Sequence, residues 1–272
     1  MLFLTRVPAP PLSCYVELFW YCENEPVAHK YERVLPNGRS QLIIDLTDGF
    51  SYKTGTDAVA HLPAMAPIVV GLQTRYSVLE SASLRQLIGL VFRPGGARAL
   101  VDVPAGECSD QVVTLDSIWG SRAASLRDRL RDAESPTEKF QLLERALLER
   151  VRMRPFELHA AVRHALAHFE RAPHICSVIE VARQTGLSRR RLAELFREQV
   201  GLTPKLYCRV LRFQRVVSQI ASGAPIDWTE VALAGGYCDQ PHFAHEFHDF
   251  SGISPSTYTA SERISQNHVV IG

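Results

Sequence analysis

Two short stretches of the chain hold side chains suited to reading a nucleic acid. The first is Ser188-Arg189-Arg190-Arg191-Leu192-Ala193-Glu194-Leu195-Phe196-Arg197. Leu192, Leu195 and Phe196 recur at i, i+3 and i+4, so on a helix they turn inward. Arg190, Ala193, Glu194 and Arg197 then share the outer face. An arginine there can fork onto a guanine edge, and a glutamate can accept from a cytosine amine. Arg189 and Arg197 are placed for phosphates, which fix register but carry no sequence information. The second stretch is Asp239-Gln240-Pro241-His242-Phe243-Ala244-His245-Glu246-Phe247-His248-Asp249. Phe243 and Phe247 are its inward residues. Pro241, His242 and His245 face outward where base edges would lie, and His248 sits nearer the backbone. The histidines also invite a metal reading, but the string is His-Glu-x-His and successive i, i+3 steps drift around a helix. No metal and no cofactor is expected.

The elements that must position these residues are written twice. The first copy runs Val181-Ala182, Gly186-Leu187-Ser188, Leu192, Leu195-Phe196, Gly201-Leu202-Thr203-Pro204, Tyr207. The second runs Val231-Ala232, Gly236-Tyr237-Cys238, Phe243, Phe247, Gly252-Ile253-Ser254-Pro255, Tyr258. The offset is 50 residues up to the first glycine and 51 after it, so the second turn carries one extra residue. Each copy reads as helix, glycine turn, helix, which is a helix-turn-helix. Ser177 to Glu180 and Asp227 to Glu230 have capping-box spacing, with Asp replacing Ser/Thr in the second. Thr203-Pro204 and Ser254-Pro255 place a cap before a proline at the first helical position. Pro204 to about Ala221 reads as one connecting helix about 27 Å long, a strut for two recognition helices about one DNA turn, 34 Å, apart.

Charge divides unevenly between the copies. From Ser177 to Arg215 there are nine basic and three acidic residues, a balance of 9 − 3 = +6. From Val216 to Ala260 there is no Lys or Arg, while Asp227, Glu230, Asp239, Glu246 and Asp249 give −5. The overall net charge of +1 hides this gradient. Electrostatic affinity for DNA is therefore expected from the first unit and its connecting helix.

The chain's 272 residues allow two domains, and 46% apolar with 22% charged residues is ordinary for a globular protein. No apolar run approaches the roughly 18 residues of a membrane span. The start lacks a basic n-region and is interrupted by Pro8, Pro10 and Pro11, so no export signal is expected and reduced cytoplasmic thiols are the default. The six cysteines, at 14, 22, 108, 176, 208 and 238, show no Cys-x-x-Cys pair.

Residues 1–120 read as β-rich. Runs at Tyr15–Cys22, Gln41–Leu46, Ile68–Leu72, Tyr76–Leu79, Leu87–Phe92 and Gln111–Leu115 are separated by turns such as Pro36-Asn37-Gly38, Thr47-Asp48-Gly49 and Arg93-Pro94-Gly95-Gly96. Helices are expected at Ser121–Arg131, Thr137–Val151 and Phe156–Arg171. The fold class is thus α+β and multidomain. A β-rich barrel or sandwich with a few helices (1–120) is followed by a helical connector (121–154), an all-α double helix-turn-helix (155–260) and a tail (261–272). No catalytic set emerges in the front part, where His29, His61, Asp45, Asp48 and Cys22 are isolated. Arg93-Pro94-Gly95-Gly96 reads as a tight turn, with an anion nest as the alternative. Trp20, Tyr15, Tyr21, Phe19, Phe92 and Trp119 read as core before pocket.

The duplicated region, about Phe156 to Tyr258, resembles the AraC/XylS family of bacterial transcription regulators. The resemblance rests on Gly-Leu-Ser, Leu-Phe-Arg and Gly-Leu-Thr-Pro in the first copy. In the second it rests on Gly236-Tyr237-Cys238-Asp239-Gln240, His242-Phe243, Phe247, Gly252-Ile253-Ser254-Pro255 and Tyr258. It implies seven helices, two helix-turn-helix units bridged by a long helix, and binding to promoter or operator double-stranded DNA. By position it implies Arg190, Ala193 and Glu194, then Pro241, His242 and His245, as base readers, with Gln240 beside them. The family usually carries basic residues at 245, after Phe247 and after Tyr258; here stand His245, His248-Asp249 and Thr259. The first 120 residues resemble, less specifically, the front domain of an AraC-like subgroup, through Tyr15–Tyr21, Arg33–Gly38, Phe92–Gly96 and Trp119-Gly120. That implies sensing of a small-molecule effector, a homodimer, or contact with RNA polymerase; the ligand site is not legible. The rival reading is a bifunctional enzyme with a catalytic front domain, as in DNA-repair methyl transfer. That chemistry needs an activated cysteine, and Cys14, Cys22 and Cys108 lie in no motif of that kind.

Overall fold

The computed structural model describes residues 2–25, 29–47, 52–54, 66–81, 85–173, 177–221 and 226–271. Asp48, Gly49, His61 and Cys176, named above, lie outside the described residues. In chain order the front part holds β1 (Leu2–Arg6), β2 (Val16–Glu23), β3 (Tyr31–Val34), β4 (Gln41–Asp45), β5 (Tyr52–Thr54), β6 (Ile68–Val70), β7 (Ser77–Glu80), β8 (Gln86–Phe92) and β9 (Val112–Thr114). All their pairings are antiparallel. One sheet has the order β1-β2-β8-β4-β6-β9.

Strand alternation sends successive side chains of this sheet to opposite faces. Phe19 and Tyr21 of β2, Leu42 and Ile44 of β4, and Ile88, Leu90 and Phe92 of β8 face one core. Cys22, Leu87, Ile68 and Val70 face a smaller one, which Leu79 of β7 closes from the second sheet. The larger core is completed by helices: α1 (Asp116–Trp119), α2 (Ser121–Asp132) and α3 (Pro136–Met153). Leu126 and Leu130 of α2 and Phe140, Leu143 and Leu147 of α3 lie in it. Residues 121–154, expected as a connector, therefore pack on the sheet. Two buried cations brace them, one tying α3 to the end of α2 and one tying α2 to the end of β4. Lys139 donates to the Leu130 and Ala133 carbonyls, each at 2.6 Å, and Arg127 donates to the carbonyls of Asp45 and Thr47 at 2.8 Å.

The helix expected from Phe156 begins later, as α4 (Ala160–Arg171). One long-range contact and one local cap set this start. The Tyr15 hydroxyl donates to the Phe156 carbonyl at 2.8 Å, and His159 is the N-cap, its ring accepting from Ala161 N–H. Residues 156–159 thus form an extended strap. Then come α5 (Val178–Gln184), α6 (Arg189–Val200), α7 (Pro204–Ala221), α8 (Trp228–Ala234), α9 (Gln240–Ser251) and α10 (Pro255–Ala260). Seven helices, α4–α10, build one core around α7. That core also takes in Leu35 and Leu72 from the front part and Val269 from the chain end.

The chain end is not a loose tail. β10 (Arg263–Ser265) and β11 (His268–Ile271) form a hairpin, and β11 pairs antiparallel with β3, His268 opposite Val34 and Ile271 opposite Tyr31. The second sheet runs β10-β11-β3-β7-β5. β10 and β11 thus extend a sheet of the front part.

Candidate nucleic-acid interface

Each unit is assembled by the same local devices. In the first, Ser177 Oγ accepts from Glu180 N–H and Ser188 Oγ from Arg191 N–H, both at 3.2 Å, which caps α5 and α6. In the second, Asp227 accepts from the N–H groups of Thr229 and Glu230, and Asp239 from His242 N–H at 2.7 Å. Each cap satisfies backbone donors that a helix start leaves unpaired. The turns match as well. Gly186 and Gly236 adopt φ of 69° and 77°, a region that favours glycine. One residue later the Leu187 and Tyr237 N–H groups bond back to the Ala182 and Ala232 carbonyls. The aromatic packing is duplicated too. Phe196 meets Tyr207 edge-on at 5.5 Å, and their counterparts Phe247 and Tyr258 meet edge-on at 5.7 Å.

The sequence-predicted side chains stand where the caps aim them. Arg189, Arg190, Glu194 and Arg197 are exposed and Ala193 is half-buried; Gln240, Pro241, His242, His245 and His248 are exposed. Each set lies on one outer face of its helix. Arg190 Nε donates to Glu194 Oε1 at 2.8 Å, with the Arg190 side chain 91% accessible. That pairing holds the Glu194 carboxyl below its ordinary value. His245 Nδ1 lies 3.5 Å from Asp249 Oδ2. Among the described residues no cluster of three His, Cys, Asp or Glu side chains could hold a metal ion.

The charge split looks different in three dimensions. Glu246 does not oppose DNA on the surface; it is buried beneath α7. Arg209 Nε donates to it at 2.7 Å and Arg212 Nη2 at 3.1 Å. Arg212 also donates to the Gly236 carbonyl at 3.3 Å and lies over the Tyr237 ring. Two of the nine cations counted with the first unit are therefore structural anchors of the second. Asp227 and Asp239 are caps. The signal for Glu246 was its spacing: 243, 246, 247 and 250 are i, i+3, i+4 and i+7, a core stripe.

In the front part, Arg93 Nε donates to the Ser13 carbonyl, Gly96 N–H bonds the Arg93 carbonyl, and Leu158 packs over Gly95. This is the tight turn rather than an open nest. Burial pushes the Cys22 thiol up to about 11 and also raises Cys108, opposite to what a nucleophile needs. A groove of about 660 Å³ lies between α2 and α3, lined by Trp119, Arg122, Leu126, Arg129, Arg150 and Arg152 among others. Arg150 also pairs with Asp102. No helix among the described residues is long and apolar enough to cross a membrane.

Residues 181–261 match the family described as a helix-turn-helix domain, and residues 4–114 match a domain of unknown function, DUF6597. A probable thc operon regulatory protein from Rhodococcus erythropolis is 31% identical over 102 residues. That match covers 36% of this chain and 31% of the relative, so the chain spans about a third of its length. Among solved structures, ToxT from Vibrio cholerae aligns over 95% of this chain and 98% of its own, at 11% identity and TM-score 0.49. An AraC-type DNA-binding-domain regulator from Chromobacterium violaceum aligns over 37% of this chain and 89% of its own, at 26% identity and TM-score 0.34.

Proposed function

We propose that this chain, whose residues 181–261 match a helix-turn-helix domain family, is a sequence-specific DNA-binding transcription regulator of the AraC type. The observation that carries the reading is the matched pair of capped helices, α6 and α9. Each presents an exposed polar N-terminal half, and both are held by the single strut α7. Arg190, Ala193 and Glu194 read bases in one major groove, and Pro241, His242 and His245 in the next. Arg189, Arg197, Gln240 and His248 position the backbone. The protein acts on promoter DNA in the cytoplasm, with RNA polymerase or a second copy as a further contact. Selection from a randomised double-stranded DNA pool, followed by footprinting, tests this. Two protected patches about one helical turn apart are expected; a single patch, or no enriched sequence, refutes it.

The front part serves as the sensor. The groove between α2 and α3 has the size of a small-molecule site, and its arginines beside the Trp119 ring suit an effector with an acidic group and a flat apolar body. The fluorescent sulfonate 1-anilinonaphthalene-8-sulfonate is a probe of that chemistry. Saturable binding that Arg129→Glu/Arg152→Glu abolishes is expected; binding indifferent to the charge reversal removes the assignment.

A further inference from the structure

Gly201 and Gly252 are counterparts in the two units, 51 residues apart, each closing the C-terminal end of its recognition helix. Both also touch the front domain. The Gly201 carbonyl accepts from Ser109 Oγ at 2.6 Å. A methyl group at Gly201 would stand 3.0 Å from that oxygen and 3.1 Å from Leu72 Cδ1. At Gly252 a methyl group would overlap the Tyr76 ring. A third contact continues the first: Gly106 lies against the stem and carbonyl of Arg197.

The two docking points belong to one hydrogen-bonded piece of the front domain. Segments 72–76 and 105–110 are stitched together. Thr74 N–H and Oγ1 donate to the Asp110 carboxylate at 2.6 and 2.7 Å, and Asp110 N–H donates to the Leu72 carbonyl at 2.9 Å. Tyr76 is braced from behind by Arg33, whose guanidinium lies 4.4 Å over its ring. One stitched loop pair therefore bridges the C-terminal ends of α6 and α9. Each of these helices has 12 residues, about 18 Å. The capped ends that carry Arg190 and His242 thus lie about one helix length from these contacts.

We propose that loops 72–76 and 105–110 act as a caliper. They hold the two recognition helices at a fixed separation from behind, so the front domain helps select the spacing between the two half-sites. Thr74, Tyr76, Ser109 and Asp110 are positioning residues that do not touch DNA. α7 joins the units through buried contacts along its length, among them Arg209 and Arg212 on Glu246; the loop pair supplies a further connection at the C-terminal ends of α6 and α9. Displacing these loops is then the route by which the front domain changes DNA selectivity. The effect on DNA rests on the regulator reading above; the geometry of the caliper does not.

Two measurements separate those dependencies. The first uses no DNA. Spin labels at Arg190→Cys and His245→Cys, with Cys14, Cys176 and Cys238 replaced by serine, report the distance between the recognition helices. Both label sites are exposed. A single narrow distance is expected in the full chain, and a broad distribution after Ser109→Ala/Tyr76→Ala. Tyr76→Phe keeps the ring and should stay narrow. An unchanged distribution in the double variant overturns the caliper. The second measurement uses the best duplex selected by the wild type, with one or two base pairs inserted or removed between the half-sites. One base pair should cost the wild type about ten-fold and the double variant less than about three-fold. This ratio is unmoved by partial unfolding, which lowers all affinities alike. Equal spacing profiles overturn the proposal. A narrow distance without any selected duplex refutes the regulator reading and leaves the caliper a purely structural feature.

Discussion

Arg190 and Glu194 face each other across one helical turn, with no other partner among the described contacts of Arg190. Exposed pairs of this kind contribute little to stability, so giving up this one costs the fold little, as the proposed base contact of Arg190 requires. Arg190→Ala should leave the thermal midpoint within about a degree. It should weaken the best DNA site by roughly ten- to a hundred-fold and relax one base position. Arg197→Ala should instead weaken all sequences alike; competition binding with the two variants separates these outcomes, and equal behaviour would refute the division of roles. Glu246 is the opposite case. Its side chain is 5% accessible and is matched by Arg209 and Arg212, which are 34% and 18% accessible. Removing its charge leaves two guanidinium groups without their buried counter-charge. Glu246→Gln should cost about 2–3 kcal/mol of unfolding free energy in a urea titration, less than a fully buried pair because Arg209 still reaches water. A loss under half of that would show that the arginines find other acceptors.

At the scale of elements, the hairpin β10–β11 hangs on β3 by its ladder and by one carboxylate. Glu32, on β3, accepts from His268 Nδ1 at 2.9 Å and His29 Nε2 at 2.8 Å. Burial pushes this carboxyl up, but hydrogen bonds from His268 and His29 and the charge of His268 outweigh it and leave it at about 2. A folded value below the unfolded one stabilises above the unfolded value, about 4.3, and that contribution is lost as pH falls toward 2. Wild type should therefore lose stability between about pH 4.5 and 2 through this group, and Glu32→Gln should lack that component of the acid limb. Superimposable acid limbs in denaturation would show that Glu32 does not clasp the hairpin. The hairpin itself was illegible in the sequence, because its strands are only three and four residues long and the strand on which β11 docks, β3, lies more than 230 positions away. β1 and β3 were missed for related reasons. β1 is exposed along most of its length and carries no buried alternation, while β3 reads as charged although Glu32 is buried. The duplicated helices were legible because caps, glycine turns and i, i+3, i+4 stripes act within a dozen residues. Even there the start of α4 was misjudged, since the bond from Tyr15 to the Phe156 carbonyl is long-range.

For the whole molecule, the electrostatics of DNA binding depend on which cations remain outward after folding. Counting from sequence puts nine between Ser177 and Arg215, and about five phosphate contacts would give a log–log salt slope of about −4 to −5. Folding turns Arg209 and Arg212 inward onto Glu246, while Arg183 stays outward in an exposed pair with Glu180. Arg183, Arg189, Arg190, Arg191, Arg197, Lys205 and Arg215 stay exposed; Arg190 is assigned to a base, and Arg189, Arg191, Arg197 and Lys205 are the four that cluster on α6 and the start of α7. About four phosphate contacts correspond to a slope of about −3 to −4. The second unit gains no cation from its own chain, but the same two arginines cancel the buried Glu246 carboxylate. Arg209 also comes within 3.9 Å of Asp249, so less negative charge opposes the duplex than the composition implies. Binding isotherms from about 50 to 300 mM salt decide between the two counts. A slope steeper than −5 would mean that Arg209 and Arg212 leave Glu246 for phosphate. That rearrangement would have to break the α7–α9 contact and with it the seat of the second recognition helix. A slope near −3 to −4, made shallower by about one in Lys205→Ala and unchanged in Glu246→Gln at equal folded fraction, would place the electrostatic footprint on the first unit and the head of the strut.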